Sequence, residues 1–146
     1  MLRLRASPFT SGRSIFVDHI PGTLDQAAKV YVKIKLAGLD RSVFAQLDTG
    51  AAWSVLPPDL TRKLNLPIEP GKPTVLRTSL GRMEGRLVRV PFTFVADEGE
   101  PLPSEATFFV TPDWPEGQVF LGYSGLLDSI RFALDPQVND FYFGPS

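Results

Sequence analysis

The 146 residues contain no cysteine and a single histidine, His19. Without cysteine there is no disulfide, no thiolate metal site and no cysteine nucleophile. Nothing therefore points to an oxidising compartment. One histidine cannot build a His-rich metal site, and it argues against a Ser-His-Asp triad. Neither sign of charge dominates: 15 Lys and Arg face 16 Asp and Glu, a net charge of −1. That balance speaks against a nucleic-acid or membrane-surface partner. No stretch approaches the ~18 apolar residues of a membrane span. The basic start Met1-Leu2-Arg3-Leu4-Arg5 is not followed by the apolar segment of a signal peptide. The expectation is a cytoplasmic protein with no metal and no organic cofactor, whose chemistry, if it has any, rests on carboxylates.

What is present is β patterning, and the length suits one domain. Residues 1–28 read as an N-terminal arm, irregular apart from the short apolar piece Ser14-Ile15-Phe16-Val17, which could be an edge strand. Residues 29–146 read as the domain proper. Val30, Val32, Ile34 and Leu36 alternate with polar neighbours, as in a half-buried strand. After the turn signal Gly38-Leu39-Asp40, Val43 to Leu47 reads as a second strand antiparallel to the first. Pro57-Pro58-Asp59 opens a short helix to about Leu64. Thr74–Leu80 and Leu87–Val95 read as a hairpin around a glycine-bounded tip, Gly81 to Gly85. Ala106–Val110 and Val119–Leu121 are further strands. Ser124 is a plausible N-cap for a second short helix through Leu126, Leu127 and Ile130. Phe132–Leu134 and Phe141–Phe143 read as a closing hairpin. The class is mostly β with one or two short helices.

One segment carries chemistry. In Leu47-Asp48-Thr49-Gly50-Ala51 a carboxylate leaves an apolar strand and enters a turn of small residues, and Ser54-Val55-Leu56 follows. The strand would hold Asp48 rigidly, Thr49 adds a hydroxyl able to bond backbone, and Gly50 and Ala51 leave room above the turn. The bland reading is an ordinary Asp-Thr-Gly turn, since all three are common turn residues.

These residues resemble the active-site motif of the retropepsin-like aspartic proteases. Val119-Phe120-Leu121-Gly122, followed by Leu126-Leu127, is similar to the apolar-apolar-Gly element of that family. The glycine-tipped hairpin lies between the two, where the family keeps its flap. The resemblance runs from Lys29 to Phe143. It implies a single-lobed, closed, retropepsin-like β barrel and an aspartic endopeptidase acting on peptide or protein substrates. Asp48 would be the catalytic residue, with Thr49, Gly50 and Ala51 as its scaffold and Leu121 and Gly122 as the second motif. Leu80, Gly81, Arg82, Met83 and Gly85 would be flap residues touching substrate. The family's chemistry needs two aspartates that share a proton, and no second such motif occurs among the ten aspartates here. A homodimer would supply the second Asp48 across its two-fold axis. Retroviral members usually follow the second glycine with Arg and then Asp or Asn. Tyr123-Ser124 stands here, which puts the usual dimer contacts in doubt. The alternative function is a catalytically silent peptide-binding or assembly module on the same fold. Four arginines, Arg77, Arg82, Arg86 and Arg89, fall on the hairpin; a solvated face is the plain reading and an acidic ligand the other. Trp53 reads as packing, and Trp114 as part of a pocket or an interface.

Overall fold

The computed structural model describes residues 1–66, 72–78, 81–114 and 117–146. In chain order the strands are β1 (Arg3–Leu4), β2 (Ser7–Pro8), β3 (Gly12–Ile15), β4 (Val17–His19), β5 (Gln26–Leu36), β6 (Val43–Leu47) and β7 (Ser54–Leu56). Helix α1 (Pro58–Lys63) follows. Next come β8 (Lys72–Thr78), β9 (Gly81–Phe94), β10 (Glu98–Gly99), β11 (Leu102–Val110) and β12 (Val119–Leu121). A 3-10 turn at Leu127–Ser129 leads to β13 (Ile130–Asp135) and β14 (Asp140–Pro145). The protein is mostly β.

The large sheet runs β4-β5-β6-β12-β7-β11-β9-β8, and a further pairing of β5 with β9 closes six of these strands into a ring. Alternation on β5 explains the closure. Val32, Ile34 and Leu36 are fully buried and point to one interior. The same strand pairs with β6 through Val32↔Ala45 and with β9 through Ile34↔Phe94. Antiparallel β11 and β9 form a long ladder, from Leu102↔Phe94 to Val110↔Arg86. The smaller sheet, β10-β3-β14-β13, packs against the ring. Phe94 joins the two: its ring lies 5.1 Å from Phe92, 5.6 Å from Phe143 and 5.7 Å from Phe141. Edge and offset contacts of this kind add to what burial alone contributes.

Residues 12–19 are bonded into both sheets. β3 pairs with β14 through Phe141↔Ser14, and β4 pairs with β5 through Val17↔Tyr31. Two ionic contacts fix the segment. Arg13 donates to Asp140 at 2.6 Å and lies 3.2 Å from Glu98. Asp97 accepts from the backbone N–H of Ile15 at 2.8 Å and from Lys33 at 3.3 Å.

Three local readings from the sequence change. The segment before Gly22 is not merely irregular, because β3 and β4 lie within it. The hairpin connection is not Gly81 to Gly85. Pairing continues to Thr78↔Gly81, so Gly81, Arg82, Met83 and Gly85 belong to strand β9, opposite Thr78, Arg77, Leu76 and Thr74. Ser124 caps no α-helix. Its N–H is drawn to Ala52 O at 2.9 Å, and Gly125 takes a φ of +77°, which breaks helical geometry before it can propagate. Only the 3-10 turn remains. Leu80 lies outside the described residues.

Two stability measurements test this packing. Phe94→Ala should cost about 3–5 kcal/mol in urea unfolding, because it opens a cavity where four rings meet. Asp97→Asn should cost about 1 kcal/mol at neutral pH. Burial pushes the Asp97 carboxyl up, but the Ile15 N–H and Lys33 outweigh it, so its pKa lies below the ordinary 3.8. A lowered folded-state value gives stability that is present above 3.8 and lost as pH falls through the lower value. The gap between wild type and Asp97→Asn should therefore narrow below that pH.

Candidate active site

Strand β12 is threaded between β6 and β7, and this positions Asp48. β12 runs parallel to β6, with Leu121 beside Leu47, and antiparallel to β7, with Phe120 beside Val55. β6 ends at Leu47, so Asp48 begins the turn at the end of a buried ladder. Its N–H donates to Leu121 O at 2.9 Å, and its own carbonyl accepts from Ala51 N–H at 3.2 Å. The carboxylate Oδ1 accepts from Gly50 N–H at 3.0 Å. This is the small-residue turn folding back on its own acid.

The far side of the turn is locked from β12. Tyr123 N–H donates to Ala51 O at 2.8 Å and Ser124 N–H to Ala52 O at 2.9 Å. Gly122 N–H is buried and donates to Ser54 Oγ at 2.9 Å. A side chain at position 122 would put its Cβ 2.5 Å from the carbonyl of Trp53 and 2.9 Å from Ser54 N, both backbone atoms. Glycine is required there by contact. The structure thus brings Asp48, Thr49, Gly50 and Ala51 against Leu121 and Gly122, as the two motifs suggest. Asp48 is half-buried, and Thr49 and Gly50 are exposed.

Asp48 opens onto a cleft of about 620 Å³. Aromatic and aliphatic walls come from Trp53, Trp114, Phe120, Val55 and Leu76. Both tryptophans of the chain are therefore in this wall. Trp114 meets Phe120 edge-on at 5.3 Å, and its buried Nε1–H has no partner among the described residues. Lys29 and Arg77 also line the cleft, and Asp48 is the one carboxylate among the described residues that does. Lys29 was not singled out in the sequence. It lies two residues before Tyr31, whose partner Gln46 lies two residues before Asp48, so the antiparallel register of β5 on β6 brings Lys29 to the end of the ladder where Asp48 stands. Strand periodicity placed it on β5 but could not say which loop it would face.

The β8–β9 hairpin reaches the cleft through Leu76 and Arg77. Met83 lies opposite Leu76, and Arg82 opposite Arg77. A second, more apolar cavity of about 390 Å³ lies between α1 and the Gly85–Val88 stretch of β9, and Asp48 does not line it. Among the described residues no group of three or more His, Cys, Asp or Glu is placed to hold a metal ion. No helix is long and apolar enough to cross a membrane.

A family model described as aspartyl protease matches residues 32–124. That range contains both the Asp48 turn and Gly122. No curated protein matches the chain.

Two substitutions separate the lock from the acid it holds. Ser54→Ala leaves the buried Gly122 N–H unpaired and should cost about 1–3 kcal/mol by chemical denaturation. Gly122→Ala forces backbone apart and should cost more than Ser54→Ala in the same assay.

Proposed function

Because the chain belongs to the aspartyl protease family, we propose that it is an aspartic endopeptidase that works as a homodimer, with Asp48 of each copy forming the catalytic pair. The observation that carries this reading is the half-buried Asp48, held on a hydrogen-bonded turn at the mouth of a cleft, with no second carboxylate lining that cleft among the described residues. One carboxylate cannot be base and acid in the same step. A two-fold axis beside the exposed Thr49 and Gly50 supplies the second from an identical chain.

In that dimer two carboxyls about 3 Å apart cannot both ionise, so they share one proton, as aspartic proteases in general do. The ionised carboxyl takes a proton from a water molecule as its oxygen attacks the peptide carbonyl. The protonated one donates to the carbonyl oxygen. The resulting diol collapses when the C–N bond breaks and the leaving amine takes a proton from the pair. One water is consumed and an acid and an amine are released. The two apparent pKa values belong to the pair and not to either residue.

Thr49, Gly50 and Ala51 are the scaffold in this reading, and Leu121 and Gly122 the buttress. The β8–β9 hairpin is the flap, closing an extended peptide against the cleft and excluding water. Gly81, Arg82, Met83 and Gly85 then act from strand β9, not from the tip. The aromatic walls suit apolar side chains beside the scissile bond. The cysteine-free composition suits a reducing cytoplasm.

Asp48→Asn should abolish cleavage of a peptide library while the unfolding midpoint and the mass in solution stay as in wild type. The wild-type mass by light scattering should approach twice 16.1 kDa as concentration rises. A strict monomer at every concentration, or cleavage by Asp48→Asn at the wild-type rate, would refute the reading. Peptide binding by a wild-type dimer that cleaves nothing would establish the silent module instead.

A further inference from the structure

Among the described residues, the charged groups that line the cleft besides Asp48 are both cationic. Lys29 comes from β5 and Arg77 from β8, and both line the cleft that holds Asp48. Neither has an ion-pair partner among the described residues. On the hairpin Arg77 sits directly opposite Arg82. Like charges directly opposite on one face of an antiparallel pair are destabilising. Glu84 shares that face two residues along β9, but it pairs with neither arginine. The hairpin thus sets two exposed arginines in register where it meets the cleft. An anion lying beside Arg77 would gain a partner there.

We propose that this cleft selects peptides with an acidic side chain near the bond presented to Asp48, held between Lys29 and Arg77. The inference rests on the endopeptidase reading for the position of the bond, but not for the charge preference. A folded nucleic acid offers the same charge. Yet the walls between the cations, Trp53, Val55, Leu76 and Phe120, form a pocket for side chains beside a single carboxylate, which would repel a continuous polyanion. A peptide with one acidic residue among apolar ones fits both features.

The two tryptophans provide the readout, since both line the cleft. The Asp48→Asn dimer is titrated with pairs of short extended peptides that differ only in Glu or Gln at one position beside a central apolar pair. Tryptophan fluorescence follows occupancy. At low salt the Glu peptide should bind roughly fivefold tighter than its Gln twin, and the advantage should shrink as salt rises. Lys29→Gln and Arg77→Gln should each reduce that ratio, and Arg77→Glu should shift the preference toward a Lys peptide. Thermal melts confirm that the variants are folded.

Equal affinity for Glu and Gln peptides would overturn the proposal. So would a preference that survives both cation substitutions, or a single-stranded oligonucleotide that displaces the acidic peptide and binds more tightly. Wild-type cleavage of the same peptides is scored separately. An acid preference without cleavage keeps this inference and overturns the endopeptidase reading. Cleavage without an acid preference does the reverse.

Discussion

The α-carbon of Gly122 lies against the peptide linking Trp53 to Ser54, where any Cβ would come within 2.5 Å of backbone. This close approach allows β12 to lie between β6 and β7 and to bond to both. With β12 in place, the Asp48 turn is held from two sides: Leu121 O takes the N–H of Asp48, and the N–H groups of Tyr123 and Ser124 take the carbonyls of Ala51 and Ala52. Every bond in the set is backbone to backbone except two, Ser54 Oγ to Gly122 N–H and Asp48 Oδ1 to Gly50 N–H. The acid is therefore oriented by the chain path itself. Side-chain rotamers contribute little to its position, and that is how a reacting group is held within a fraction of an ångström.

Beneath the turn the support is apolar and continuous. Leu121, Ala45 and Leu56 are fully buried, and Val55 and Val119 nearly so. The same interior takes in Phe94, which reaches across to Phe141 and Phe143 on the smaller sheet. Residues 12–15 complete that sheet, and Arg13 and Asp97 tie them down through Asp140, Glu98 and Lys33. Among the described residues of the cleft none comes from residues 1–28, of which β3 belongs instead to the layer on which the ring rests. The β8–β9 hairpin is built differently. Val75, Arg77, Arg82 and Glu84 form an exposed face, and only Leu76, Met83 and their neighbours turn inward. In the proposed enzyme, the backbone-held acid and the exposed hairpin would divide the labour of positioning and closure.

Much of this was legible in the residues. An apolar strand running into Asp48-Thr49-Gly50 can do little else than present the acid at a strand end, and Leu121-Gly122 announces a strand that stops at a close contact. Other elements were hidden for identifiable reasons. Pro103 interrupts the start of β11, which therefore read as Ala106–Val110, and the glycines at 81 and 85 made the start of β9 read as a tip; the structure keeps Pro103 within the pairing, opposite Thr93. Ser124 and the leucines after it look like a capped helix, but Gly125 takes a φ of +77° directly after the would-be cap, and no helix propagates. β3 and β4 are too short for periodicity to reveal, and pairing to β14 and β5 makes them strands. Lys29 reached the cleft only through the register of β5 on β6, a long-range fact that no local pattern contains.

An enzyme whose acid and base come from identical chains has its catalytic constellation diluted by the square of concentration at low concentration. Among the described residues Asp48 is the sole acid lining its cleft. A peptide lying across both copies changes that balance. Whatever binds the dimer and not the monomer stabilises the dimer by RT ln(1 + [L]/Kd), so in the proposed homodimer a bound peptide would favour assembly of the site. Tyr123 stands half-exposed beside the turn, with its N–H on Ala51. In the proposed dimer it takes the place where retroviral relatives use a charged buttress. An aromatic contact is less sensitive to salt than an ion pair, whereas a peptide held by Lys29 and Arg77 is strongly screened. Assembly and substrate capture would then respond differently to ionic strength, the first governed by burial and the second by charge.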